Sequence, residues 1–206
     1  MFKKLCLLAA IVLVGSEVFA IDAVIRGVRL TGSGCEASTA TASITPDGQI
    51  LSVLFDNYSA EIGTGSVNPN STVSQKDCHI LIDMDVPFGQ QYALQQTDYR
   101  GFAALPANAF GFHRFTQIIP GAPIASMREA QLKGPTATNY EVSIAQKPGR
   151  MTYSPCNQRQ QTVDLFSQLM VSYLPNTRER MKAQINLDST DTNVNTSFRL
   201  NWRACR

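Results

Sequence analysis

Two carboxylates stand two residues apart in the segment KDCHILIDMDV, at Asp83 and Asp85. On a β-strand, alternate side chains point to the same face, so the two groups would lie about 6–7 Å apart. This separation overlaps the spacings of the carboxyl pairs that cleave glycosidic bonds, and His79 would lie on the same face. The alternative is a strand face that meets solvent, or a sheet edge kept soluble by charges. We favour this second interpretation, because alternating charge is common on strands.

A second candidate is the dipeptide Tyr99-Arg100 beside Gly101. A ring and a guanidinium next to a flexible backbone suit a polar ligand, because the guanidinium presents several hydrogen-bond donors in one plane. The alternative, which we favour, is that the Tyr99 hydroxyl is bonded at a strand end and that Arg100 pairs with Asp98. These two residues and the two aspartates are the candidate ligand-binding residues, and no residue is assigned a catalytic role.

Aromatic side chains could also line a groove for a glycan or a peptide. In β-sandwiches such rings more often fill the core. We expect this especially of Phe110 and Phe112, which alternate on one face. The full set is Tyr92, Tyr99, Phe102, Phe110, Phe112, Phe115 and Trp202.

Nucleophilic catalysis has few parts in this chain, which contains two histidines, His79 and His113. A nucleophile needs a base within hydrogen-bond reach that is itself oriented by a third group. No G-x-S-x-G segment accompanies either histidine. His113 lies in the run AFGFHRF, where a histidine packed among rings is the ordinary outcome. The sequence therefore predicts no catalytic triad.

One segment resembles the first half of a calcium loop, residues 188–195 with the sequence DSTDTNVN. The match ends there, because Thr196 stands where the loop requires glycine and Trp202 where it requires glutamate. Polar clusters of this kind also form β-turns. We predict no cofactor and no metal ligand, and we leave open a calcium site of another geometry.

The N-terminus has the three parts of a secretory signal peptide. A lysine pair precedes the apolar run LCLLAAIVLVG, and the cleavage site VFA ends at Ala20. The run is shorter than the roughly 20 apolar residues that cross a bilayer, so we predict cleavage rather than a membrane span. Residues 1–20 are then the signal peptide, and residues 21–206 form a single secreted or periplasmic β-rich domain.

Charge limits the partners of this domain. Removal of residues 1–20 takes away two lysines and one glutamate, so the formal net charge falls from +2 to +1. Proteins that bind nucleic acid or anionic membranes carry dense basic patches, whereas the arginines of this chain are scattered. We therefore predict no nucleic-acid partner.

Four cysteines remain after cleavage, Cys35, Cys78, Cys156 and Cys205. An even number in an exported chain predicts two disulfides. A four-thiolate zinc site is the alternative, but its ligands come in close C-x-x-C pairs, and these cysteines are far apart in sequence. Of the three possible connectivities we favour the sequential one, Cys35–Cys78 with Cys156–Cys205.

The dominant pattern between the cysteines is period two. Residues 39–55 form two strand-like runs joined by the turn PDGQ, in which proline and glycine have the backbone angles that a turn needs. Within residues 76–86, one face carries the apolar side chains and the other the polar ones with one leucine. The first set is Ile80, Ile82, Met84 and Val86, and the second is His79, Leu81, Asp83 and Asp85. Further strands are predicted at residues 90–98, 100–105, 109–118, 140–145, 162–173, 182–188 and 194–202.

Two segments depart from this pattern. Residues 124–133, IASMREAQLK, have a helical composition that ends at Gly134-Pro135, and residues 63–74 form a long polar loop of the kind that often carries binding. Many short strands with turn residues between them predict an all-β fold, an antiparallel β-sandwich or jelly-roll-like barrel stapled by two disulfides.

The chain resembles a family of small secreted bacterial and fungal proteins, the domain of unknown function 4360. The matching segments are ITPDGQILSVLFDNYSA (44–60), KDCHILIDMDVPFGQQYAL (76–94), TDYRGF (97–102), YSPC (153–156), LDSTD (187–191) and LNWRAC (200–205), with Gly34-Cys35 before them. Glu36 stands where the family has proline, and residues 107–135 vary. The resemblance implies secretion, a β-rich fold and the same four cysteines, and it implies no catalytic residue.

These observations favour an exported, non-enzymatic module that binds an unidentified protein or glycan partner at the cell envelope or outside the cell. One alternative is a polysaccharide hydrolase or lyase that uses Asp83 and Asp85, and another is a structural surface component. Asn57, Asn70 and Asn195 are acceptor positions of N-glycosylation sequons, which have meaning only in a eukaryotic host.

Overall fold

The computed structural model describes residues 22–36, 39–121, 126–187 and 196–205. The predicted signal peptide, the calcium-like segment 188–195 and the sequon at Asn195 lie outside the described residues. No helix occurs within those ranges. The strands are β1 (Val24–Thr31), β2 (Ala40–Ile44), β3 (Ile50–Phe55), β4 (Ser59–Ile62), β5 (Val73–Asp85), β6 (Gln90–Leu105), β7 (Ala109–Ile118), β8 (Ser126–Lys133), β9 (Thr136–Ala145), β10 (Gln160–Tyr173), β11 (Ala183–Asn186) and β12 (Thr196–Ala204).

The strands form two antiparallel sheets. The five-stranded sheet has the order β1-β5-β10-β7-β8, and the other has the order β2-β3-β12-β6-β11-β4, with β9 also paired to β6. The long strand β6 pairs with β12 through Gln90–Tyr99 and with β11 through Phe102–Ala104, while β9 pairs along its opposite edge. The predicted strands 90–98 and 100–105 are therefore one continuous element.

The inner faces of the two sheets build one core. Ile80, Ile82 and Met84 of β5 are buried as the period-two pattern predicts, and they belong to the same apolar cluster as Val53 and Phe198 of the other sheet. The antiparallel all-β fold is confirmed, and it is a sandwich of two sheets. Burial of this apolar face is the main favourable contribution to folding.

Both disulfides have the predicted sequential pairing. Cys35–Cys78 ties the segment before β2 to the middle of β5, and Cys156–Cys205 ties the segment before β10 to the residue after β12. Each bridge joins chain segments that are adjacent in space and distant in sequence.

The predicted helix over residues 124–133 is wrong, because Ser126–Lys133 is strand β8. It pairs with β7 from Gln117↔Ser126 to Phe110↔Lys133 and forms the edge of the five-stranded sheet. This segment consists largely of residue types with a high helix propensity, namely Met, Arg, Glu, Ala, Gln and Leu. Helix propensity is a weak preference, however, and pairing with a neighbouring strand overrides it. The predicted loop over residues 63–74 is confirmed for residues 63–72, which join β4 to β5, whereas Val73 and Ser74 are the first residues of β5.

Candidate functional site

Asp83 and Asp85 lie on the outer face of the five-stranded sheet, each bound to its own arginine. Asp85 Oδ2 accepts hydrogen bonds from the Nε and NH2 groups of Arg26, the first at 2.7 Å. Asp83 Oδ1 accepts from Thr162 Oγ1 at 2.6 Å and from Arg29 NH2 at 3.1 Å. Each aspartate therefore has its own arginine partner, although both carboxylates line one groove of about 600 Å³ together with Arg26, Arg29 and Thr162.

These contacts hold both carboxylates ionised. The hydrogen bond from Thr162 lowers the pKa of Asp83, and the hydrogen bond from Arg26 lowers the pKa of Asp85. Glycoside cleavage by a carboxyl pair needs one group with a raised pKa to protonate the leaving oxygen. The geometry therefore supports ion pairing here rather than acid–base chemistry.

His79 does not join the aspartate pair. Its Nε2 lies 2.5 Å from Asp164 Oδ1, and its ring meets Phe166 edge-on at 6.2 Å between centroids. Within the described residues no group of three histidine, cysteine, aspartate or glutamate side chains could hold a metal ion.

Tyr99 and Arg100 point to opposite faces of β6. The Tyr99 ring is fully buried and stacks on Phe115 at 3.8 Å between centroids. Arg100 lies on the outer face, with its Nε 3.5 Å from Glu141 Oε2 instead of at the expected partner Asp98. The two side chains therefore do not form one ligand site, because adjacent residues of a strand alternate between its faces.

Gly101 is a packing position rather than a flexible one. A Cβ atom there would lie 2.2 Å from the carbonyl oxygen of Asn186 and 2.6 Å from the Tyr140 ring. The glycine lets the ring of Tyr140 and strand β11 approach β6 closely.

Phe110 and Phe112 do not fill the core, which corrects the sequence interpretation. Both are half-buried on the outer face of β7, while His113 and Phe115 of the same strand point inward. With Leu132 they line an apolar groove of about 530 Å³. The prediction for His113 is confirmed, since its buried ring contacts the rings of Tyr99, Phe115 and Tyr140.

The remaining aromatic candidates divide between core and surface. Tyr92 is buried against Trp202, whose Nε1 donates to the carbonyl oxygen of Gly48 at 2.7 Å. Phe102 is half-buried on the outer face of the sheet that contains β6. Of these three rings, Phe102 is the one beside a polar groove.

This groove, which we call the amide groove, has a volume of about 760 Å³ and lies beside the Cys35–Cys78 disulfide. Its walls come from the segment before β2, the connection between β3 and β4, and strands β4 and β11, with one residue each from loop 63–74 and β5. The polar side chains that line it are Ser33, Glu36, Thr39, Asn57, Ser59, Glu61, Lys76, Gln184 and Asn186.

Strand register extends the amide groove across the sheet. Ser59 of β4 lies opposite Asn186 of β11, which lies opposite Phe102 of β6. Phe102 in turn lies opposite the exposed Asn139 of β9. A half-exposed ring is thus flanked on both sides by amides.

Several polar groups in the amide groove have no protein partner. Within the described residues, the side chains of Asn57, Gln184 and Lys76 make no hydrogen bond or ion pair, whereas Glu61 is bound by Lys182 at 2.8 Å and by the Val67 amide at 3.0 Å. The hydrogen bond from Lys182 lowers the pKa of Glu61. The groove therefore offers unpaired donors and acceptors beside a carboxylate that stays ionised.

Sequence reasoning missed the amide groove because its residues come from distant segments. Two signals pointed towards it: the sequon at Asn57 and the long loop 63–74, which contributes Val67. Neither signal identifies Gln184 or Lys76, which lie on ordinary strands.

A disulfide-stapled sandwich with an open polar groove is the class of protein that the fold and site define. The chain matches the family model described as "Domain of unknown function (DUF4360)" over residues 22–205, and it belongs to that family. It is 27% identical over 181 residues to an "Uncharacterized secreted protein" of Arthroderma benhamiae (strain ATCC MYA-4681 / CBS 112371), covering 88% of this chain and 71% of the relative.

The chain was also compared with solved structures. It is similar to a family 11 carbohydrate-binding module from Clostridium thermocellum in complex with a β-1,3-1,4-mixed-linked tetrasaccharide, at 8% identity, 91% coverage of both chains and a TM-score of 0.23. At that TM-score the likeness carries no argument about this chain.

The protein is located outside the cytosol. Its relative is a secreted protein, and two disulfides persist in oxidising compartments rather than in the cytosol. Among the residues that the structure describes, no helix has the length and apolar character of a membrane span.

Proposed function

We propose that this protein is an extracellular glycan-binding module without catalytic activity, and that sugars bind in the amide groove. The observation that carries the proposal is that Asn57, Gln184 and Lys76 line one groove and have no side-chain partner among the described residues. Polar side chains on a folded surface are commonly bonded to other protein groups or to water. Here they point into a space of about 760 Å³, within the range typical of ligand sites.

The chemistry of these groups matches a sugar better than a peptide. A side-chain amide carries two donors and an acceptor oxygen with two lone pairs, and each hydroxyl of a sugar ring also both donates and accepts. Phe102, opposite Asn186, offers a flat apolar surface for the C–H face of a sugar ring. Peptide and protein sites instead depend on buried aromatic or arginine anchors, and the groove walls contain neither.

The absence of catalysis rests on the state of the carboxylates. Glu61 in the amide groove and both Asp83 and Asp85 on the other sheet have lowered pKa values. None of these three groups is set up to be the protonated acid that glycoside cleavage needs.

A glycan array probed with residues 21–206 tests the proposal. The protein should be made in an oxidising bacterial compartment, because N-glycosylation at Asn57 would fill the groove. We expect specific binding to a set of glycans in the presence and absence of calcium. Asn57→Ala and Gln184→Ala should each weaken that binding about tenfold, the loss of one to two hydrogen bonds.

Gln168→Ala is the matched control, because Gln168 is a half-buried amide on the outer face of the other sheet and has no side-chain partner among the described residues. It should bind as the unsubstituted protein does. Equal binding by all three variants would exclude the amide groove as the site, and failure of the unsubstituted protein to bind any glycan would exclude the function.

The same array discriminates the alternative functions. Release of shortened sugars during incubation would contradict a non-catalytic role, and its loss in Asp83→Asn and Asp85→Asn would establish the carboxylate hydrolase. A silent array would favour a protein partner, for which the half-buried rings of Phe110 and Phe112 provide apolar contact surface.

A further inference from the structure

A second cavity, of about 320 Å³, opens between the two sheets at their edge strands β8 and β9. Its floor is formed by Gln117 and Ile119 at the end of β7. Its rim carries three cationic side chains, Arg128, Lys147 and Arg150. It is separate from the amide groove and shares no lining residue with it.

Within the described part of the chain, no acidic side chain neutralises the positive charge of this cavity. None of the residues that line it is acidic, and none of its three cations takes part in an ion pair within the described residues. Glu129, next to Arg128 in sequence, lies on the other face of the sheet, where it binds Arg114 of β7.

Local structure orients the cations. The turn from Lys147 to Arg150 is closed by the hydrogen bond from the Arg150 amide to the Lys147 carbonyl oxygen at 3.0 Å. Gly149 has a φ of 83° within this turn, a left-handed conformation that glycine adopts without strain. The Arg128 guanidinium is anchored by its donation to the Met127 carbonyl oxygen at 2.8 Å and keeps its other donors available.

One residue that lines the cavity also has an unpaired buried donor among the described residues. Gln117 is 2% exposed, its Oε1 accepts a hydrogen bond from Thr97 Oγ1 at 2.8 Å, and its Nε2 has no acceptor within the described residues. Leaving a buried donor unpaired costs about 1–3 kcal/mol. A buried donor of this kind beside unpaired cations is what an anionic ligand would satisfy.

We propose that this cavity is a binding site for a small ligand that bears an oxyanion, with Arg128, Lys147 and Arg150 supplying the charge and Gln117 a neutral donor. Guanidinium groups match the oxygens of carboxylate, sulfate and phosphate. The volume of about 320 Å³ is at the small end of ligand sites, so it suits one acidic sugar residue or a free anion rather than a polymer. The proposal is independent of glycan binding in the amide groove.

Calorimetric titration of residues 21–206 with D-galacturonate, inorganic phosphate and sulfate tests it, with D-galactose as the neutral arm. We expect at least one anion to bind with a Kd below about 10 mM and galactose not to bind at this site. The affinity should fall as NaCl is raised, because salt screens exposed charges. The anion that binds identifies the source of the oxyanion.

Substitutions locate the site. Arg128→Gln and Arg150→Gln should each weaken anion binding at least tenfold. Arg199→Gln should not, because Arg199 is an exposed arginine of β12 that lies away from the cavity and has no ion pair among the described residues. The side-chain amide signals of Gln117 in an NMR titration of the unsubstituted protein should shift on binding. Gln184→Ala should leave anion binding unchanged.

Three results would overturn the proposal. They are the absence of binding by all three anions, equal weakening by the Arg199→Gln control, and no shift of the Gln117 amide at saturation. Since glycan-array binding is predicted to depend on Asn57 and Gln184 and not on Arg128, failure of one proposal leaves the other standing.

Discussion

The hydroxyl of Tyr58 donates a hydrogen bond to the main-chain carbonyl oxygen of Ser167 at 2.8 Å. Tyr58 lies between β3 and β4 in one sheet, and Ser167 lies in the middle of β10 in the other. The tyrosine is fully buried, and burial raises the pKa of its hydroxyl, so the group remains a protonated donor at neutral pH. This hydrogen bond holds the connection between β3 and β4 of one sheet against β10, the central strand of the five-stranded sheet.

Tyr58→Phe should lower the free energy of unfolding by about 1 kcal/mol, the usual net contribution of one buried hydrogen bond. Tyr92→Phe is the control, because the Tyr92 hydroxyl is buried without a hydrogen-bond partner among the described residues. Its removal should be neutral or stabilising. Urea unfolding of both variants measures the difference, and an equal loss in the two would contradict the assigned role of the Ser167 contact.

The disulfides should contribute strongly to stability. Cys35–Cys78 and Cys156–Cys205 close loops with sequence separations of 43 and 49 residues. The loss of either bridge should therefore cost about 4 kcal/mol on the chain-entropy account. Paired cysteine-to-alanine variants of each bridge, unfolded in urea, check this value. A loss below about 1 kcal/mol would indicate that the unfolded chain is already compact when the bridge is absent.

Local patterns were sufficient to predict part of this fold. The alternation of β5 and the PDGQ turn appeared as predicted, because strand period and turn chemistry are encoded in adjacent residues. The pattern of β7 was misleading, because one of its faces carries Phe110 and Phe112, while the other carries a glycine, a histidine and a glutamine beside Ala109 and Phe115. The sheet buries that second face, and hydrophobicity alone favours the first.

The candidate sites could not be predicted in this way. The amide groove forms where β4, β11 and the segment before β2 meet. The cavity lined by Arg128, Lys147 and Arg150 forms where the end of β7, β8 and the end of β9 meet. Those meetings depend on sheet order, and pairings such as β11 with β6 join residues far apart in sequence. The individual side chains, such as Gln184 and Arg128, carry no local signal of a site.

Gly101→Ala should destabilise the protein by about 3 kcal/mol, because the added methyl would overlap the Asn186 carbonyl oxygen and the Tyr140 ring. Gly27→Ala is the matched control. Gly27 also lies in a strand, and a Cβ atom there would meet no atom within 4 Å. That variant should stay within about 0.5 kcal/mol of the unsubstituted protein. Thermal unfolding of the pair separates overpacking from a general effect of adding a side chain to a strand glycine.

His113 should make the stability of this protein fall in mild acid. Its ring is 1% exposed, and burial lowers the pKa of the imidazole from 6.5 to about 3. Between these two values the unfolded chain binds a proton that the folded chain excludes, so the unfolded state gains stability as the pH falls. The contribution is fully present above pH 6.5 and is lost progressively towards pH 3.

The window from pH 7.5 to pH 5 isolates this histidine from the carboxylates. The carboxylates with lowered pKa values, such as Asp83 and Glu61, have unfolded values of 3.8 and 4.5 and therefore act at lower pH. The free energy of unfolding should fall by about 2 kcal/mol across the window, measured by urea titration at each pH. His79→Gln should keep that slope, because His113 is then the remaining histidine, and His113→Gln should remove it. A flat profile in His79→Gln would mean that the buried imidazole is protonated in the folded protein, which would contradict its packing among three aromatic rings.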